Sequence, residues 1–270
     1  MTVKTAYDKA RAENRAALVG YLPAGFPTFD GAVEAAKAMV DAGCDVIEIG
    51  LPYTDPMMDG PTIQDAVHRA LVGGVRVADV FRTVEAVAAT GVPTLVMTYW
   101  NPVDHYGVER FARDLAAAGG SGLITPDLTP EEGGDWLAAA DAHDLDKVFL
   151  VALSSTDERI EAITRASRGF VYAASLMGVT GARTAIDTGA PRLVERTREI
   201  IGRDGRDLPV GLGLGVGNGA QAAEVAGFAD GVIVGSAFIR RLLDALDLAA
   251  GVAGVRALAA ELAEGVRKGR

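Results

Sequence analysis

A single cysteine, Cys44, stands among 270 residues, so no intrachain disulfide can form and no thiolate cluster can hold a metal. Histidine is almost as scarce. His68, His105 and His143 lie far apart and show no H-E-x-x-H spacing, which argues against a zinc site. Basic residues are in the minority: 26 Lys and Arg face 36 Asp and Glu, for a formal net charge of −10 and no basic stripe. That balance excludes a nucleic-acid binder and disfavours an anionic membrane surface. No run of about 18 apolar residues is uninterrupted, so no membrane span is expected. The alanine-rich C-terminal region is broken by Asp247, Arg256 and Glu261. The stretch MTVKTAYDKARAEN is charged throughout and does not resemble a signal peptide. An acidic, soluble, cytoplasmic protein is expected, and 49% hydrophobic residues suffice for a packed core.

What the chain has in abundance is short apolar runs, each followed by an alanine-rich amphipathic stretch. Eight runs occur, at 17–22, 46–50, 94–98, 122–125, 147–152, 169–173, 210–213 and 231–235. Continuous apolar runs of this length read as strands buried on both faces. Helical patterns lie between them, at 30–42, 104–118, 131–142, 157–166 and 191–201, and Gly43, Gly91, Gly119 and Gly227 stand where helices should close. Two helical segments, 62–71 and 78–89, fit between the second and third strands. Eight βα units predict an α/β fold, a (β/α)8 TIM barrel with extra helical segments, and an open doubly wound sheet is the competing architecture. No linker or change of composition interrupts the chain, so residues 1–270 are expected to form one domain.

Barrel active sites form at the C-terminal ends of the strands. Glu48 lies there, inside the apolar run VIEIG, and strand alternation puts it on one face with Val46 and Gly50. An inward carboxylate is costly unless paired or functional, and burial raises its pKa toward the range of acid–base work. Asp59 sits in the following loop, LPYTDPMMDGPTIQ, stiffened by Pro52, Pro56 and Pro61. Asp55 and Asp59 also suit a helix N-cap or turn. VGLGLGVGNG at 210–219 is neither G-x-G-x-x-G nor a Walker loop, but together with Gly235-Ser236 it can build a backbone phosphate site at a helix N-terminus. Its glycines equally suit tight turns. SLMGVTGAR at 175–183 has the glycines of a closing loop or of a plain connection. Tyr21, Tyr99 and Tyr172 fall at strand ends, where they can wall a flat apolar pocket. Trp136 reads as packing, Trp100 as a rim aromatic or a partner contact, and Arg240 and Arg241 as solvated.

Taken together, these segments resemble the α-subunit family of tryptophan synthase. EIGLPYTDPMMDGPTIQ is similar to that family's signature, and YLPAGFP, TYWNP, PDLTPEE, VYAASLMGVTGAR and VGSAF follow in the family's order over nearly the whole chain. The resemblance implies a carbon–carbon lyase of tryptophan biosynthesis that cleaves indole-3-glycerol phosphate to indole and glyceraldehyde 3-phosphate. It implies that Glu48 moves protons at indole C3 and at the glycerol hydroxyl. Asp59 is implied to accept the indole N–H and to stabilise the charge that develops on it. By the same resemblance Tyr21, Ile63, Tyr99 and Tyr172 line the indole pocket. Gly181, Gly215, Gly235 and Ser236 hold the phosphate, and Thr180 closes over the site. No metal or organic cofactor is implied for this chain. The implied partner is a β subunit carrying pyridoxal phosphate, in an αββα heterotetramer that channels indole. The loop 52–59 and the region of Asn101 and Pro102 would face it. A stand-alone indole-3-glycerol phosphate lyase and a non-catalytic, phosphate-ligand-binding regulatory subunit are the alternatives. The sequence departs from the family pattern at Tyr53-Thr54, Met57-Met58, Leu153 and Asn218.

Overall fold

The structure is a computed structural model and describes residues 2–174, 189–213 and 215–269. The chain begins with α1 (Val3–Ala12), β1 (Ala17–Pro23), α2 (Phe29–Asp41) and β2 (Val46–Gly50). Two helices, α3 (Pro61–Val72) and α4 (Val77–Ala88), precede β3 (Thr94–Met97). Then come α5 (Trp100–Tyr106), α6 (Val108–Ala117), β4 (Gly122–Ile124), α7 (Gly134–Ala142), β5 (Asp146–Val148) and β6 (Leu150–Ala152). The last part holds α8 (Asp157–Ala166), β7 (Val171–Ala174), α9 (Gly189–Gly202), β8 (Val210–Gly213), α10 (Gly219–Ala226), β9 (Gly231–Val234), α11 (Ser236–Leu243) and α12 (Leu248–Lys268).

All strands are parallel and form one sheet in the order β5-β4-β3-β2-β1-β9-β8-β7-β6. Its two ends are consecutive in sequence and separated by Phe149 alone. The run 147–152, expected as one strand, is therefore two short ones. The first half pairs with β4 and the second with β7. The Lys147 and Phe149 carbonyls accept the amides of Arg168 (2.8 Å) and Tyr172 (3.0 Å), so hydrogen bonds cross the break and the barrel closes there. Strand stagger in a tilted barrel is the reason: a short strand meets its two neighbours at different heights. The predicted helix 104–118 is also two helices, because Gly107 (φ 94°) turns the chain between α5 and α6. Gly43, Gly91 and Gly119 close helices with positive φ as expected, whereas Gly227 closes α10 in a right-handed conformation.

Alternation sorts the strand residues into two layers. Val19, Val46, Leu95, Ile124, Val148, Phe170 and Ile233 fill the barrel interior. Leu18, Ile47, Ile49, Leu123, Val171 and Val232 face the helices instead. Glu48 shares the parity of Val46 and so points inward. Helix α1, which the sequence patterning did not single out, packs on the interior cluster through Val3, Ala6, Tyr7 and Ala10. The Tyr7 ring stacks 5.4 Å from Phe170, and burial of a side chain this size is worth about 2–3 kcal/mol. Gly211 and Gly231 admit its hydroxyl, since a Cβ on either would come within 2.7 Å and 2.4 Å of that oxygen. With α1 on this layer, the cavity of the barrel lies toward the C-terminal strand ends. Among the described residues no helix is long and apolar enough to cross a membrane.

Candidate active site

The C-terminal strand ends enclose a cavity of ≈ 110 Å³. Tyr21, Glu48 and Tyr172 reach it from β1, β2 and β7, Asp59 and Ile63 from the β2–α3 connection and α3, and Gly215, Gly235 and Ser236 from the glycine-rich turns. Eight of the predicted residues thus meet at one place. Thr180, Gly181 and the predicted closing loop 175–183 lie outside the described residues. Tyr99 differs from the expectation. It is buried behind Asp59 rather than on the cavity wall, and its hydroxyl accepts the Met58 amide (2.9 Å) while engaging the Asp59 carboxylate.

Glu48 is 2% exposed, and its Oε1 has no hydrogen-bond partner among the described residues. Among the described residues no salt bridge reaches Glu48, which speaks against a structural ion pair with a base on a neighbouring strand. Loss of hydration without compensation pushes its carboxyl up to about 8. Asp59 does not cap a helix. Gly60 is the N-cap of α3, with Pro61 in the first turn and no side-chain cap bond. Asp59 instead receives Gln64 Nε2 on its backbone carbonyl (2.8 Å), which leaves the carboxylate turned to the cavity and to Tyr99. Burial raises its carboxyl to about 6, a rise that the Tyr99 hydroxyl limits. Asp55, the other loop carboxylate, is exposed and accepts its neighbour's Thr54 hydroxyl (2.5 Å). Near neutral pH the cavity therefore holds one protonated and one ionised carboxyl group, the division of labour that acid–base chemistry needs.

The rest of the wall is apolar: Met97, Ile124, Leu150 and Ile233, with Pro126 and Met58 at loops. Of these only Met58 was singled out in the sequence, as a departure from the family pattern, though the four strand residues could have been found by counting alternate positions from the strand starts. Two glycines decide where the tyrosines stand. A Cβ on Gly50 would lie 2.3 Å from the Tyr21 hydroxyl, and one on Gly213 would lie 2.1 Å from that of Tyr172. Neither distance is sterically possible. Gly213→Ala is expected to displace the Tyr172 ring, lower kcat/KM by about 10- to 100-fold and cost about 1–3 kcal/mol of stability. Steady-state kinetics with urea unfolding tests this, and wild-type kcat/KM in the variant would show that the ring position does not matter.

Beside the Tyr21 ring, α11 starts at Ser236 with Gly235 as N-cap and no side-chain cap bond. Gly215 (φ 71°) turns the neighbouring chain toward it in a conformation that favours glycine. Backbone amides at a helix start are suited to an anion. Asn218 caps α10 through the Gln221 amide (2.9 Å), so this departure keeps the capping function of a small hydroxyl residue. Of the other departures, Tyr53 packs 5.6 Å from Tyr99, and Leu153 packs half-buried on the core. Met57 is 71% exposed at the loop tip. Trp136 is buried, as packing requires, and the half-buried Trp100 donates its amide to Asp127 (2.9 Å). No group of three or more His, Cys, Asp or Glu among the described residues is placed to hold a metal ion.

Comparison with known proteins points the same way. Residues 7–267 match the family model described as tryptophan synthase alpha chain. The tryptophan synthase alpha chain of Salinispora arenicola is 65% identical over 265 residues, covering 98% of this chain and 97% of the relative. That of Streptomyces coelicolor is 62% identical over 259 residues, covering 96% and 94%. A solved structure of Mycobacterium tuberculosis tryptophan synthase superimposes with a TM-score of 0.91 at 56% identity, covering 98% of both chains. Likeness over the full length joins a barrel whose mouth holds two desolvated carboxyls facing an uncapped helix start, and the chain belongs to the tryptophan synthase alpha chain family.

Proposed function

We propose that Glu48 and Asp59 carry out the α reaction of tryptophan synthase in this chain. The family's reaction is the carbon–carbon lyase step that cleaves indole-3-glycerol phosphate to indole and glyceraldehyde 3-phosphate. The supporting observation is the pair of buried carboxyls with separated pKa values in one apolar cavity. Protonated Glu48 delivers its proton to indole C3, and the positive charge that develops at the indole nitrogen meets ionised Asp59. Glu48, now a carboxylate, takes the proton of the hydroxyl on the carbon attached to C3. The C3–C bond then breaks, its electron pair restores the indole ring, and the hydroxyl carbon becomes the aldehyde. Glu48 ends protonated, as it began. Tyr21, Tyr172 and Ile63 flank the ring, with Tyr99 holding Asp59 from behind. Backbone amides at Gly181, Gly215, Gly235 and Ser236 hold the phosphate, and Thr180 closes over the site.

In this family pyridoxal phosphate belongs to the β subunit, and the α chain works with that subunit. We assign the loop 52–59 and the region of Asn101 and Pro102 to the β-facing surface, on the support of exposed Met57 at the loop tip. Residues 1–270 work as one domain, a reading supported by the single sheet to which every described strand belongs, and the family membership supports a cytoplasmic location. A subunit that only bound a phosphate ligand would have no use for two desolvated carboxyls beside its anion site. The test is indole release from indole-3-glycerol phosphate across pH, with and without β subunit. The expected kcat/KM profile is a bell. It falls below about pH 6 as Asp59 gains a proton and above about pH 8 as Glu48 loses one. Turnover should rise with the partner. A profile flat from pH 5 to 9 would overturn the assignment of roles, and fast turnover unchanged by the β subunit would favour a stand-alone lyase.

A further inference from the structure

We propose that Arg240 is a specificity-determining residue for the substrate's phosphate, supplying the countercharge that the backbone cradle lacks. This rests on the reading of Gly215, Gly235 and Ser236 as that cradle. Arg240 lies four residues beyond Ser236 on α11, hence on the same face of the helix. The Cα–Cβ bonds of a helix tilt toward its N-terminus, so a long side chain at this position runs back over the first turn. Arg240, Ser236 and Gly215 line one groove of ≈ 540 Å³, and Ser236 and Gly215 also line the cavity of Glu48 and Asp59. The groove therefore adjoins the phosphate end of the site.

The charges sharpen the assignment. Most described arginines are ion-paired, such as Arg15 with Asp45, Arg168 with Asp146 and Arg198 with Asp230. Arg240 is half-buried and forms no ion pair among the described residues. Asp244, the only carboxylate among the described residues that line the groove, is the C-cap of α11 one turn beyond Arg240 and makes no salt bridge to it. Arg241 also lines the groove, but it is exposed, does not share the Ser236 face of α11, and its stem runs beside α12, where a Cβ on Gly254 would sit 3.4 Å from the Arg241 Cβ. A chain of net charge −10 repels a phosphate dianion at long range. Backbone amides orient the phosphate without neutralising it, whereas a guanidinium can do so with two parallel hydrogen bonds.

The experiment compares Arg240→Gln and Arg240→Lys with the unsubstituted chain, in complex with β subunit. Indole-3-glycerol phosphate is the substrate and inorganic phosphate the competing probe. In Arg240→Gln, KM is expected to rise about five- to tenfold with kcat within about twofold, because the contact is alike in ground and transition states. The inhibition constant of inorganic phosphate should rise in parallel, and Arg240→Lys should recover most of both. Unchanged KM and unchanged phosphate inhibition in Arg240→Gln would overturn the proposal while leaving the cradle intact. Failure of inorganic phosphate to compete on the unsubstituted chain would overturn the cradle itself, and Arg240's role with it.

Discussion

Replacing Glu48 with glutamine is expected to lower kcat by about 10³- to 10⁴-fold, at the upper end for one acid–base group because Glu48 acts twice in the cycle. The same substitution is expected to stabilise the protein at alkaline pH. The carboxyl is raised from 4.5 to about 8 by burial, and its Oε1 has no compensating partner among the described residues. Below pH 4.5 it is protonated in the folded and unfolded states alike and contributes no pH dependence. Between 4.5 and 8 the unfolded chain releases the proton and the folded chain keeps it, so stability falls with rising pH. At about 1.4 kcal/mol per pH unit, the loss reaches roughly 5 kcal/mol by pH 8. Glutamine escapes that loss but buries an amide with unmet hydrogen bonds, a cost of about 1–3 kcal/mol. The variant should therefore be more stable than the parent at pH 8 and less stable at pH 4.5. Urea unfolding at the two pH values reads this directly. A structural ion pair would give the opposite result, a loss of about 3–5 kcal/mol on removal of one partner. Wild-type turnover in the variant would remove Glu48 from the chemistry.

Asp59→Asn should cost about 10²- to 10³-fold in kcat/KM, the range seen when a preorganised electrostatic partner is lost. Asparagine keeps an oxygen for the indole N–H and can still meet the Tyr99 hydroxyl. What it lacks is the negative charge, which matters most once positive charge has developed on the ring. The loss should therefore fall on kcat more than on KM. The acid limb near pH 6 should vanish from the pH profile, since its titrating group is gone. The alkaline limb, which belongs to Glu48, should remain near pH 8. If the acid limb persisted in Asp59→Asn, it would belong to another group, and the charge-stabilising role of Asp59 would fail.

Much of this site could be read along the chain, because its signals are local. A carboxylate inside VIEIG violates the pattern of a buried strand wherever that strand lies. Proline-stiffened and glycine-rich turns mark their own positions, and alternating apolar and amphipathic stretches dictate a succession of βα units with parallel strands. The sequence by itself thus determined the succession of βα units, the face that Glu48 shares with Val46 and the loop that presents Asp59. Closure of the sheet into a barrel, and with it the inward direction of Glu48, was decided by the tertiary structure. Only the tertiary structure decided that the Glu48 Oε1 has no partner among the described residues and that Asp59 faces the cavity instead of capping α3. It also decided that Tyr99 stands behind Asp59, that Gly50 and Gly213 make room for two tyrosine rings, and that the fifth run divides at Phe149. Each of these depends on groups brought together from distant parts of the chain. Hydrophobic periodicity reports which face of an element is buried. It carries no record of what that face meets, and it is this meeting that sets desolvation, pKa and the space left for a substrate.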